Sequence, residues 1–140
     1  MIRVLFVDDE FDTERFQSKV DILSSEGIEV KGIQDVADVM PFLRQQHASV
    51  AAIVLDVLMP PLDTYSLEET NDGTATGLRL LEDIRAILPD VPVVIVSVKP
   101  KTEALEWIAR FKVSAYLTKP VLATDIARAV KESISKRPGT

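Results

Sequence analysis

The chain has 140 residues, a formal net charge of −6, and a composition that is 46% hydrophobic and 27% charged. That length suits one domain with a proper core and is short for two, and the composition excludes wholesale disorder. The absence of cysteine and the single histidine, His47, exclude a disulfide framework, a thiolate metal site and a multi-histidine centre, while the acidic balance opposes direct binding of nucleic acid.

Apolar runs alternate with helical patterns along the chain. Met1-Ile2-Arg3-Val4 leads straight into a strand over Ile2 to Val7, without a signal-peptide layout. No apolar run approaches the roughly 20 residues of a membrane span, so a cytoplasmic protein without membrane contact is expected. Asp8-Asp9-Glu10 closes the first strand. Phe16, Val20 and Leu23 recur at helical spacing and predict a first helix that ends near Gly27. Ile28 to Ile33 alternates apolar with polar residues, as a half-exposed edge strand does. Val36, Val39, Met40 and Leu43 line a second helix, with His47 read as a surface or boundary residue.

Val50 to Leu55 is unbroken apolar sequence ending in Asp56, the pattern of a central strand buried on both faces. A third helix runs from Leu78 through Leu81, Ile84, Ile87 and Leu88 and stops at Pro89. Val91 to Val96 is a further buried strand, with Pro92 near its start, where a missing N–H is tolerated. Leu105, Ile108 and Ala109 form the apolar stripe of a fourth helix, and the i, i+4 pair Trp107 and Phe111, set apart from it, reads either as an anchor for a partner or as a partly buried packing pair. Val113 to Leu117 is a short strand, and Leu122, Ile126, Val130 and Ile134 carry the last helix. Lys131, Lys136 and Arg137 complement that helix's dipole.

Five strands alternating with five helices, (βα)5, imply an α/β domain with a mainly parallel, doubly wound sheet over residues 1–137, leaving 138–140 as a tail or the start of a linker. One region breaks the rhythm. Residues 61–76 hold Asp63, Glu68, Glu69 and Asp72, no basic residue, four threonines and an Asn71-Asp72-Gly73 turn signal. This is longer than an ordinary βα connection and reads as a solvated, mobile insert near the mouth of any site at Asp56. Two readings stay open for it: a gate over that site, or a surface insertion without a role.

Ligands of such sheets bind beyond the carboxyl ends of the strands. Those ends carry Asp8 and Asp9, Asp56, Ser97, and Thr118-Lys119-Pro120. Two carboxylates about 4 Å apart repel by roughly 4 kcal/mol at an effective dielectric near 20. Three therefore need compensation beyond Lys119, and Mg²⁺ suits oxygen donors that leave room for phosphate. Singly, each feature has an ordinary explanation: an Asp pair caps a helix, an Asp starts a turn, a Lys-Pro pair makes a loop. Their coincidence points to metal-assisted phosphoryl transfer.

Val7-Asp8-Asp9-Glu10, Leu55-Asp56-Val57-Leu58-Met59-Pro60, Val96-Ser97 and Leu117-Thr118-Lys119-Pro120 resemble, in order, the four signature blocks of response-regulator receiver domains of two-component signal transduction. The resemblance covers the chain outside 61–76. It implies a flavodoxin-like, chemotaxis-regulator-like sheet of order 2-1-3-4-5. It further implies that Asp56 accepts a phosphoryl group from a sensor histidine kinase or phosphotransfer protein. Asp8, Asp9, Asp56 and the Leu58 backbone carbonyl would hold Mg²⁺, and Lys119, fixed by a cis bond to Pro120, would contact the phosphoryl oxygens. Ser97 would be the switch hydroxyl and Tyr116 the paired aromatic. The product would be a phosphorylated signalling domain, not an enzyme, acting on a downstream effector protein or domain as a monomer or a phosphorylation-dependent dimer. Val98, where the family has a small residue, and Leu58, where it often has a polar one, depart from the pattern, and Lys99 adds a cation at the rim. Two further readings are a degenerate receiver that serves only as an interaction module, and a hydrolase resembling the haloacid dehalogenases. The adjacent Asp8-Asp9 pair and the short insert count against the hydrolase.

Overall fold

The computed structural model describes residues 1–12, 14–59, 65, 66, 68 and 75–136. Five parallel strands, β1 (Ile2–Val7), β2 (Ile28–Ile33), β3 (Ala52–Leu55), β4 (Val93–Ser97) and β5 (Ala115–Thr118), form one sheet in the order β2-β1-β3-β4-β5. The helices are α1 (Glu14–Ser25), α2 (Val39–Gln46), α3 (Thr76–Ile87), α4 (Leu105–Arg110) and α5 (Ala123–Ser135). This is the expected flavodoxin-like arrangement.

Side chains of a strand alternate between faces, and the core divides accordingly. Leu5, Val7, Ile53, Leu55, Val93 and Ile95 enter one apolar cluster with α2 and α3. Val4, Phe6, Ala52, Val54, Val94 and Val96 enter a second with α1 and α5. Both faces of β3 and of residues 4–7 and 93–96 are therefore covered, which is why these stretches are continuously apolar. Each large aliphatic side chain so buried contributes roughly 1.5–3 kcal/mol. β2 is half-exposed, as its alternation predicts. Gly27, with φ at +84°, closes the turn after α1 in a conformation that suits glycine.

Three expectations change. α4 packs through its aromatic pair and not through the expected stripe: Phe111 is buried and Trp107 packs on the same cluster, as the packing-pair reading has it, while Leu105 is 55% exposed and Ala109 is also exposed. Two aromatic rings bury more area than a leucine and an alanine, so they take the inner face. Leu122 precedes α5 and lies exposed, so the helix's apolar stripe is Ile126, Val130 and Ile134. Of the insert, residues 61–64, 67 and 69–74 lie outside the described residues, as do the Asn71-Asp72-Gly73 signal and the tail 137–140. Its remaining residues are not uniformly solvated. Tyr65 is buried against the α3 side of the core, and Thr76 is the fully buried first residue of α3. His47 is exposed, with Nδ1 3.2 Å from the Leu43 carbonyl.

Candidate functional site

The parallel register creates the site. Val7 of β1 pairs with Leu55 of β3, so the next residues, Asp8 and Asp56, leave the sheet side by side. The Asp8 N–H donates to the Ile33 carbonyl at 3.1 Å and the Asp56 N–H to the Val7 carbonyl at 3.0 Å. At the other side of the rim, Ser97 pairs with Thr118 and the Lys119 N–H donates to the Ser97 carbonyl at 2.7 Å. The Lys119–Pro120 bond is cis.

Side-chain contacts then draw the charges together. Lys119 Nζ lies 3.0 Å from Asp56 Oδ2 and 3.3 Å from Asp8 Oδ2. The other oxygens are held by the backbone: Asp56 Oδ1 accepts from the Leu58 N–H at 3.0 Å, and Asp8 Oδ1 from the Glu10 N–H at 2.9 Å. Asp8 and Asp56 are 3% and 6% exposed, whereas Asp9 faces solvent. One oxygen of each of the three aspartates lies within 4.8 Å of the others. Such a set of hard oxygen donors, short of positive charge by two after Lys119 is counted, is compatible with a divalent cation.

The electrostatics carry the same message. Burial holds the Asp56 carboxyl above the usual range, although the Lys119 ammonium pulls it down. Burial also raises Asp9, and the charges of Asp8 and Asp56 raise it further. For Lys119, burial works toward a lower value, but the bonds and charges of Asp56 and Asp8 outweigh it and the ammonium is held above its ordinary range. Burial of Asp56 thus outweighs its bond to Lys119, whereas for Lys119 two carboxylates together outweigh burial.

Ser97 and Tyr116 come together through Lys99. The buried Ser97 hydroxyl accepts from the Lys99 N–H at 3.2 Å, and the half-buried Tyr116 hydroxyl donates to the Lys99 carbonyl at 2.6 Å. Burial raises the Tyr116 phenol, with a hydrogen bond from Ser97 opposing it. Val98 points outward at 57% exposure, and Leu58 packs half-buried on the α3 side of the core.

One positioning residue escaped the sequence reading. A Cβ on Gly77 would sit 2.1 Å from the Asp56 carbonyl oxygen and 2.6 Å from Val57 Cα. The Gly77 N–H donates to the Val57 carbonyl at 2.9 Å. The first turn of α3 therefore rests directly on the backbone of Asp56. The available signal was a glycine inside a helical pattern, which costs about 1 kcal/mol against alanine and so points to a close approach.

With this geometry in place, comparison with known proteins is direct. Residues 4–131 match the family of the response regulator receiver domain. The chain belongs to that family. Its fold is similar to that of a receiver domain protein from Clostridium thermocellum, with a TM-score of 0.77, 21% identity and coverage of 97% of this chain and 96% of that one. It is equally similar to a CheY-like receiver domain protein from Methanospirillum hungatei, with a TM-score of 0.76, 23% identity and coverage of 97% and 95%. The receiver domain of the Francisella response regulator 1452 gives a TM-score of 0.74 at 23% identity, covering 97% and 98%. No curated protein matches the sequence. Among the described residues, no helix of this receiver domain is long and apolar enough to cross a membrane.

Proposed function

We propose that this receiver domain accepts a phosphoryl group on Asp56 from a phosphohistidine of a sensor kinase or phosphotransfer protein, in a Mg²⁺-dependent reaction, and passes the signal to a downstream effector. The observation that carries the reading is the convergence of Asp8, Asp9 and Asp56 with Lys119 at adjoining strand ends. Asp8, Asp9, Asp56 and the Leu58 carbonyl would hold Mg²⁺, which when bound supplies positive charge against the phosphoryl oxygens.

The protein's own part is positioning and charge. An Asp56 carboxylate oxygen forms the new bond to phosphorus while the bond from phosphorus to the donor's imidazole nitrogen breaks. The Leu58 N–H holds one Asp56 oxygen and so orients the carboxylate. Lys119, now bonded to Asp56 and Asp8, turns to the arriving phosphoryl oxygens. Burial of Asp56 keeps water from competing for the phosphoryl group. Ser97 and Tyr116, linked through Lys99, carry the change away from the site. The domain thus acts as a phosphorylated cytoplasmic signalling module and not as a turnover enzyme, either as a monomer or as a dimer formed on phosphorylation.

The test is mass spectrometry after incubation with acetyl phosphate and Mg²⁺. The chain should gain one phosphoryl group, about 80 Da. EDTA should prevent the gain and Asp56→Asn abolish it. Undiminished labelling of the Asn variant would remove Asp56 from its role.

A further inference from the structure

Arg85 is a half-buried cation that the mechanism does not use. Arg85, in the last turn of α3, donates to four backbone carbonyls: Nε to Phe111 at 2.7 Å, one terminal nitrogen to Val91 at 2.6 Å and Leu88 at 3.0 Å, and the other to Lys112 at 3.1 Å. Leu88 and Val91 lie between α3 and β4, and Phe111 and Lys112 between α4 and β5. Only the planar fork of an arginine can serve carbonyls spread over two such segments. One of the held residues is conformationally unusual. Lys112 has φ at +55°, a region that costs a non-glycine residue energy. It closes α4 in a left-handed cap, with the Val113 N–H donating to the Ile108 carbonyl at 3.1 Å.

The opposite end of the same helix rests on the phosphorylation site, because Gly77 is pressed against the Asp56 carbonyl. Between them, Leu78, Leu80, Leu81 and Ile84 are almost fully buried, and a close-packed face of this kind moves as a unit. Gly77 and Arg85 are about 12 Å apart along the axis. α3 is therefore a packed rod with one end on Asp56 and the other gripping the turn that starts β5, the strand that carries Tyr116 and leads to Lys119.

We propose that Arg85 is a positioning residue of the signalling response: it clamps the strained α4–β5 turn to α3, so that a shift of the Asp56 backbone on phosphorylation reaches α4 through α3. This rests on phosphorylation of Asp56 as read above. It supplies a second connection, separate from the one through Ser97 and Tyr116. One end of the rod is a backbone contact at Gly77 and the other a guanidinium held by four hydrogen bonds, so both follow the helix, which is the physical ground for coupling.

The chain's single tryptophan reports on the outcome. Trp107 lies on α4, with its ring centroid 5.2 Å from that of Phe111, whose carbonyl Arg85 holds. Wild type, Arg85→Met and Arg85→Lys are each treated with acetyl phosphate and Mg²⁺. Labelling is read by mass and α4 by tryptophan emission, with thermal melting run alongside to establish that each variant is folded. The expected result is equal labelling in all three, an emission change in wild type, loss of most of that change in Arg85→Met, and partial loss in Arg85→Lys. The lysine variant keeps the charge and serves as the readout should the methionine variant not fold. A simple loss of stability would lower the melting temperature without uncoupling emission from labelling. An equal emission change in labelled wild type and variants overturns the proposal, as does a labelled wild type whose Trp107 emission does not move. A folded Arg85 variant that no longer labels also counts against it, since Arg85 would then act on the chemistry. Failure of wild type to label overturns the phosphoacceptor reading first, and this inference with it.

Discussion

Two residues show how the backbone is held for its task. At Gly77 a methyl group has nowhere to go, since the atoms it would meet are the Asp56 carbonyl and Val57 Cα, both backbone. Gly77→Ala should therefore displace the start of α3 from the site and destabilise the domain by about 1–3 kcal/mol, the usual range for overpacking. Because Leu58 lies just beyond the displaced segment, Mg²⁺ binding should weaken as well. Urea melts with and without Mg²⁺ measure both, and a variant of wild-type stability and affinity would show that the segment can relax freely. At Lys112 the reverse applies. Its left-handed φ of 55° is a position where glycine lacks the steric penalty. Lys112→Gly should stabilise the domain by roughly 0.5–1 kcal/mol, with the larger backbone entropy of an unfolded glycine limiting the gain. A lower melting temperature would mean that the lysine side chain contributes more than the strain removes.

Among the elements, sheet and site were legible for the same reason. Stretches buried on both faces must be apolar, so the charged residue that closes such a run marks the strand end; hence Asp8 after residues 4–7 and Asp56 after Leu55. Less legible was α4, a six-residue helix with apolar residues on two sides, for which periodicity does not say which side wins. The insert's polar composition hides one aromatic residue. Tyr65 is buried, its hydroxyl bonds Asp83 at 2.5 Å, and the Arg79 guanidinium lies 5.5 Å from its ring centre. That anchors the middle of the insert to α3. Tyr65→Phe should cost about 1.5–3 kcal/mol, the range for a hydrogen bond to a charged group, and Tyr65→Ala about 3 kcal/mol or more. Excision is a separate matter. The Val57 carbonyl and Gly77 N–H meet at 2.9 Å, so the neck of the insert is closed by its own hydrogen bond. Replacing 60–74 with a short glycine-containing turn should leave the fold intact, provided that Thr76 and Gly77 are kept. Circular dichroism and melting would report this, at a stability reduced by about the loss seen for Tyr65→Ala. A deletion that does not fold would make the insert part of the core.

For the molecule as a whole, the acidic rim sets how stability follows pH and Mg²⁺. Asp9 and Asp56 have folded-state pKa values above 3.8. The folded protein then binds protons more readily than the unfolded chain, so these two groups favour folding below 3.8 and lose that contribution as pH rises through their folded values. At neutral pH, without metal, they are a standing cost. Lys119 has the opposite window: its raised value contributes stability that persists through neutral pH and is lost only as pH rises through its folded pKa, above 10.5. A cation that binds the ionised carboxylates relieves the cost, and at about 100 times its dissociation constant stabilises the fold by roughly 2.7 kcal/mol. Melting temperatures taken in EDTA and in saturating Mg²⁺ should therefore differ most near neutral pH and converge as the pH falls into the carboxylate range, where protons displace the metal. Asp9 is the exposed member of the cluster, with no salt bridge to Lys119 among the described contacts. Asp9→Asn removes a repelling charge without breaking those pairs. It should raise the EDTA melting temperature at neutral pH, by no more than the 1 kcal/mol or so expected of a screened surface charge, and remove most of the Mg²⁺-dependent rise. If Asp9→Asn melts below wild type in EDTA and keeps the full rise with Mg²⁺, Asp9 neither repels its neighbours nor holds the ion, and the cluster must be reduced to Asp8 and Asp56.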